Sequence, residues 1–226
     1  MKGLSFEEEQ KLLPSNTILL GYVGSISHGT YRPSTHPNSI DDKDIMGICL
    51  GAPEIYLGLD MFEQKSTQYE EWDSVVYEIR KMFRLLLNFN PNVMSLLWLP
   101  DNYYIIKEEA ASRIIENRHF FVSKRAYRSF TGYAYSQLKR MTHYKFEGYM
   151  GTKRKALVDK LGYDSKNASH LIRLLRQGIE FLTEGQLYVL RHDAPQLLSI
   201  KDGEWDLKRV QEEAERLFKS AEEAYI

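Results

Sequence analysis

Three aspartates fall within four residues, Asp41-Asp42-Lys43-Asp44, and the apolar run 45–49 follows at once. Carboxylates gathered ahead of a buried strand are costly unless a cation compensates them, because each raises the pKa of the other. Residues two apart on a strand project to one face, so Asp42 and Asp44 look the same way and Lys43 the other. Magnesium, or manganese in its place, suits such a pair. It accepts one or two carboxylates and completes its shell with phosphate oxygens and water. Two such ions can stabilise the attacking and leaving oxygens of an in-line displacement at phosphorus. A third acid from a neighbouring strand would complete the set. Asp73 is the first candidate, since it shares a strand face with Val75 and Tyr77. Glu78, on the other face or in the following helix, is the alternative. Asp41 is expected to be a solvated neighbour of the pair.

Upstream, residues 23–29 read Val-Gly-Ser-Ile-Ser-His-Gly. A strand ending in Gly24-Ser25 and turning through small residues exposes backbone N–H groups that can hold phosphate oxygens. Ser25 adds a hydroxyl, and a bulky residue at position 24 would push the chain off the phosphates. Simple turn duty also accounts for Gly24 and Gly29. His28 stands close enough in sequence to touch a phosphate or a ribose.

The elements that must position these residues follow from periodicity. Residues 5–13 carry a Ser-x-x-Glu capping box and stop at Pro14, a short helix. Residues 16–24, 44–51 and 72–79 have the content of buried strands, with another around 65–69. From Glu78 the period becomes helical, with Ile79, Met82, Phe83, Leu86 and Leu87 on one stripe. Asn90-Pro91 restarts a helix as cap and first residue. After an aromatic connector at 102–106, helices are expected at 107–117, 124–143, 153–161 and 166–183, with Gly162 and Gly185 at the C-caps. A short extended piece at 186–191 and a turn at Asp202-Gly203 precede a last helix capped by Asp206. Strands come first and helices follow alone, which reads as an α+β fold. A small mixed sheet with flanking helices spans 1–120 and a mainly helical domain spans 121–226.

The whole chain carries 30 Lys/Arg against 31 Asp/Glu, so net charge selects no partner. Its distribution does. Residues 1–78 hold thirteen acids and five Lys/Arg, whereas 130–176 hold ten Lys/Arg and three acids. An acidic front and a basic middle can set a metal beside an anion-binding wall. The single Cys49 excludes an internal disulfide and fits a reducing cytoplasm. No apolar run reaches membrane-spanning length, and no His and Cys pair has zinc-ligand spacing.

The strand, Gly-Ser turn and Asp-x-Asp of "VGSISHG" and "SIDDKDI" together resemble the signature of the DNA polymerase β-like nucleotidyltransferase superfamily. The form Gly-Ser-x-x-His-Gly-Thr looks like the subgroup associated with bacterial and phage RNA repair operons. So do "VVYEIRKMFRLLLNFNPNVMSLLW" and "SHLIRLLRQGIEFLTEGQL". Lys43 departs from the pattern, which usually shows an apolar residue there. The resemblance implies a nucleotidyltransferase-type sheet and transfer of a nucleoside monophosphate from a nucleoside triphosphate to an acceptor hydroxyl, releasing pyrophosphate. Asp42 and Asp44 would bind both metals, Asp73 the metal at the acceptor hydroxyl, and Gly24 with Ser25 the β,γ-phosphates. RNA is the expected acceptor. A nucleotide sensor or antitoxin on the same fold, and transfer to a protein hydroxyl, are the alternatives.

Further cations could serve that chemistry. Lys81 lies one turn into the helix after the Asp73 strand and could reach a phosphate. His170 and Arg173 share a helical face, with Arg176 a further turn on, and suit a triphosphate or an RNA backbone. Lys153 and Lys155 could extend this wall, making 139–176 the expected RNA-facing region. Tyr127, Tyr133, Tyr135 and Tyr144 could stack bases.

Overall fold

The computed structural model describes residues 4–33, 35–36, 41–142 and 152–226. They divide into two compact units. One comprises Met1–His28 with Asp42–Phe121, and the other Gly29–Asp41 with Val122–Ile226.

The first unit is built on strands β1 (Thr17–Tyr22), β2 (Lys43–Cys49), β3 (Gln64–Tyr69), β4 (Trp72–Glu78) and β5 (Tyr104–Lys107). They form one sheet in the order β3-β4-β2-β1-β5. β2 and β4 run parallel and every other pair is antiparallel. Parallel neighbours cannot be joined by a hairpin, and β3 is inserted between them in sequence. The helices are α1 (Phe6–Leu12), α2 (Gly24–Ser27), α3 (Pro53–Leu57), α4 (Ile79–Leu87), α5 (Pro91–Leu97) and α6 (Glu109–Glu116).

The capping box forms. Ser5 N donates to Glu8 Oε2 at 2.6 Å and Glu8 N donates to Ser5 Oγ at 3.3 Å. Trp72 Nε1 donates to Glu8 Oε1 at 2.7 Å, which ties α1 to β4. Leu12, Leu20, Tyr22, Ile45, Cys49, Trp72 and Val76 make the core there. Lys43, at the rim of that face, pairs with Glu71 and lies over the Trp72 ring, 5.0 Å from its centroid. A long aliphatic stem with a partnered head substitutes for an apolar residue. Burial pushes the Cys49 thiol up to about 11, so it is un-ionised at neutral pH and packs as a small hydrophobe.

The stretch read as an aromatic connector supplies β5, which pairs with β1 at the sheet edge. Tyr104, Ile105 and Ile106 have the side chains that fit a half-buried pleat. Tyr104 Oη donates to Leu96 O at 2.8 Å and holds the edge to α5.

The second unit contains α7 (Arg125–Thr142), α8 (Thr152–Leu161), α9 (Ser165–Glu184), α10 (Ala194–Lys201) and α11 (Leu207–Tyr225). α9 is its spine, burying Leu171, Ile172, Leu175 and Phe181. A β-carbon at Gly178 would lie 2.8 Å from Phe130 Cβ, so α7 and α9 meet backbone to side chain. Residues 186–191 belong to no helix or sheet, and they bury Leu187, Val189 and Arg191 alternately. α10 follows where only a turn was expected. Its helical stripe is just Leu197 and Ile200, too short to read as a period.

Gly29–Asp41 belongs to this helical unit, although it lies within the sequence of the sheet. Lys201 Nζ donates to Thr30 O at 3.0 Å and pairs with Asp41. Lys166 stands 3.8 Å from Asp41, and Arg32 pairs with Asp202. The Asp41 side chain is fully buried. It is therefore an internal anchor and not the solvated neighbour that its polar surroundings in sequence suggested.

Candidate active site

β1 ends at Tyr22, and the chain turns through Val23 into α2. Gly24, the first residue of α2, has φ +62°, a left-handed conformation that favours glycine. Val23 N donates to Asp44 O at 3.0 Å, which fixes the turn against β2. A β-carbon on Gly24 would fall on Asp44 Oδ2 and 2.9 Å from Asp44 Cγ. The absent side chain of Gly24 thus makes room for the carboxylate of Asp44. Ser25 is half-buried in α2. Ser27 Oγ donates to Gly24 O at 3.0 Å. His28 is buried at the end of α2, with its N–H donating to Gly24 O at 3.3 Å.

The parallel pairing of β2 and β4 places Asp44 opposite Asp73. Their backbones are neighbours at about 4.8 Å, and in-register residues share a face. Asp73 is exposed, as is Asp42 one residue ahead of β2. Glu78 lies five registers further on, opposite Cys49, about 16 Å along the strand from Asp73 at ~3.3 Å per residue. It is also occupied. Glu78 Oε2 accepts from Arg80 N at 2.9 Å as the cap of α4, and Oε1 accepts from Tyr56 Oη at 2.8 Å. Of the two candidate third acids, the register brings only Asp73 to Asp44.

Lys81 is not brought there. It follows the far end of β4 and pairs with Glu63 at 2.9 Å, a carboxylate it shares with Arg84. Three cations of the expected basic wall are likewise committed. Arg176 pairs with Asp193 at 2.7 Å and Glu213 at 3.0 Å. Arg154 pairs with Asp164, the cap of α9, at 2.7 Å. Lys166 faces Asp41. Tyr144 and Lys145 lie outside the described residues, and so does the side chain of Lys153. Lys139, Arg140, Lys155 and Lys160 are exposed.

Arg173 differs from these. It is 7% exposed, yet it donates to the neutral Gln177, 2.6 Å away, and among the described residues its Nε has no hydrogen-bond partner. Burial, with Arg191 nearby, pulls its guanidinium down to about 9. His170 stands one turn before it on α9, half-buried. Sequence reasoning missed Lys201 as an anchor. Its only sequence signal is its place directly after the apolar positions Leu197 and Ile200.

Among the described residues no three His, Cys, Asp or Glu side chains converge as a ready metal cluster. Asp44 and Asp73 fit magnesium as a partial donor set. Hard carboxylate oxygens come from two strands, and the remaining positions fall to phosphate and water. No described helix is long and apolar enough to cross a membrane.

A mixed sheet that sets a Gly-Ser turn on one aspartate and a second aspartate beside it in parallel register, followed by a helical unit, defines a nucleotidyltransferase-type α+β protein. The chain belongs to the RNA repair pathway DNA polymerase beta family, whose sequence model matches residues 4–222. No curated protein matches it. A solved structure, a nucleotidyltransferase-like protein from Exiguobacterium sibiricum 255-15, is similar at 10% identity with a TM-score of 0.34. The match covers 93% of this chain and 69% of that one.

Proposed function

We propose that this chain transfers a nucleoside monophosphate from a nucleoside triphosphate to an acceptor hydroxyl, an RNA end, with release of pyrophosphate. The observation that carries the reading is the seating of Asp44 under Gly24 with Asp73 in register beside it. Asp44 and Asp73, with Asp42 from the chain just before β2, would hold a divalent ion, magnesium or manganese. Bound there, such an ion supplies charge neutralisation at the triphosphate and a lowered pKa for the acceptor hydroxyl. Asp73, exposed as Asp42 is, would take the proton of that hydroxyl. Gly24 lets the backbone approach the β,γ-phosphates, and the N–H groups at Gly24 and Ser25 with the Ser25 hydroxyl donate to them. His28 supports the turn from its C-terminal end. In the helical unit, Arg173 with His170 offers a buried cation whose cost an anionic substrate group would offset. Lys81 has no part.

The reaction then proceeds by positioning and charge stabilisation, with no covalent enzyme intermediate. The test is label transfer from each triphosphate, with magnesium, to RNA. Asp44→Asn and Asp73→Asn are expected to slow transfer by about a thousandfold, and Glu78→Gln to lower stability while leaving transfer at folded enzyme intact. A wild-type rate in Asp73→Asn overturns the assignment. Label arriving on protein would mean a protein hydroxyl acceptor, and tight triphosphate binding without transfer a sensor.

A further inference from the structure

Arg154, Lys166 and Arg176 pair with acids, and α7 carries a further set of cations that overlaps the expected region at Lys139. α7 contains no acidic residue. Ala126, Phe130, Ala134 and Met141 bury one side of it. On the opposite side Arg125, Arg128, Gly132, Tyr135, Ser136 and Lys139 are all exposed. At 3.6 residues per turn these six fall within an arc of about 100°, and Arg125 to Lys139 spans about 21 Å of helix. Tyr135 is 52% exposed, and Lys139 Nζ lies 4.7 Å from its ring centroid. A β-carbon at Gly132 would meet nothing within 4 Å, so the helix backbone itself is open at mid-stripe.

We propose that this face of α7 is a docking surface for single-stranded RNA. Arg125, Arg128 and Lys139 neutralise successive phosphates, Tyr135 offers its ring to a base, and Gly132 with Ser136 lets the strand lie close to the helix. Three features select this occupant. The stripe has positive charge with no interspersed acid, which matches a polyanion along the whole length. An exposed aromatic among the cations supplies the stacking platform that single-stranded nucleic acid uses and an acidic peptide does not require. The family acts in RNA repair. The surface deepens the proposed function by giving the RNA acceptor a binding site, and to that extent rests on it.

The experiment measures RNA affinity without nucleotide or metal, so it is independent of transfer. Labelled single-stranded RNA is titrated into the full chain and into Arg125→Ala/Arg128→Ala/Lys139→Ala over a series of salt concentrations. Each phosphate contact on a single strand contributes about 0.7 to the slope of log K against log salt. The triple variant is therefore expected to lose about two units of slope, and on the order of a hundredfold in affinity at 0.1 M salt. Tyr135→Ala should weaken binding while leaving the slope unchanged, a split that a general loss of structure would not produce. Lys155→Ala/Lys160→Ala/Lys219→Ala, which removes three exposed cations off the stripe, should bind as wild type does. If the triple variant folds poorly, the single reversal Arg128→Glu serves in its place. Equal RNA affinity in wild type and the stripe variants overturns the proposal, as does preferential binding of polyglutamate. Stripe-dependent RNA binding by a protein that transfers no nucleotide would leave the surface standing and overturn the proposed reaction alone.

Discussion

Replacing Gly24 with alanine separates two costs that the structure places on one atom. The first is conformational. At φ +62° an alanine stands in the left-handed region, at about 1–2 kcal/mol. The second is the collision of the new β-carbon with the Asp44 carboxylate, 2.9 Å from Cγ and closer still to Oδ2. Asp44 can escape only by leaving its rotamer, which adds about 0.5–1.5 kcal/mol and moves the carboxylate away from its position beside Asp73. Gly24→Ala should therefore cost about 2–3 kcal/mol in a urea titration. Gly29 is the control, with φ +72° and only Leu190 Cδ1 at 3.3 Å and Ala194 Cβ at 3.5 Å from its β-carbon. Gly29→Ala should cost the conformational part alone. In an Asp44→Ala background the Gly24→Ala penalty should fall to that of Gly29→Ala, a coupling near 1 kcal/mol. Nucleotidyl transfer should be lost in Gly24→Ala at temperatures where it remains folded, and retained in Gly29→Ala. Equal urea midpoints for the two variants, with no coupling to Asp44, would refute the claim that Gly24 exists to seat that carboxylate.

Two further outcomes concern the helical unit. Lys201→Met should leave the Asp41 carboxylate buried beside fewer compensating charges and cost about 3–5 kcal/mol, whereas Lys201→Met/Asp41→Asn should cost clearly less. Thermal unfolding of these proteins and of Asp41→Asn checks this, and additive losses would show that the pair is not coupled. Asp193 is opposed by burial, but hydrogen bonds from Arg191 and Arg176 hold its carboxyl below the usual aspartate range. Its contribution is present above the unfolded pKa of about 3.9 and disappears as pH falls through the lower folded value. The stability gap between wild type and Asp193→Asn should thus be constant near neutrality and close below about pH 4. A gap that stays open at pH 2 would mean that the ion pairs to Asp193 are not its source.

The readable and unreadable parts of this protein divide along physical lines. Local rules act within a few residues, and where they decide an element it can be read directly. The Ser5–Glu8 box, the Asn90-Pro91 start of α5, the Asp206 cap and the change of period at Glu78 are of this kind. The edge strand β5 was hidden because four residues show no alternation, and only pairing with β1 made them a strand. The candidate site mixes both kinds. Gly24-Ser25 and Asp42-Lys43-Asp44 announce themselves by composition and spacing, since a glycine before a small-residue turn and an acid pair before a strand are local patterns.

The chain by itself determined that these two motifs exist and which residue types they contain. Only tertiary structure set Asp73, and not Glu78, beside Asp44, because that pairing is a matter of parallel register and both acids sit on the same strand. It also took Asp41 out of the acid cluster and paired it with Lys201, 160 positions away in the chain. The basic middle was sorted in the same way. A lysine or arginine reads alike in sequence whether it faces water, an acid or an anion, and the partner that distinguishes these arrives from a distant element. Arg176 found Glu213, and Arg173 found the neutral Gln177. Charge is therefore legible as a count, but its use is decided by what the fold brings opposite to it.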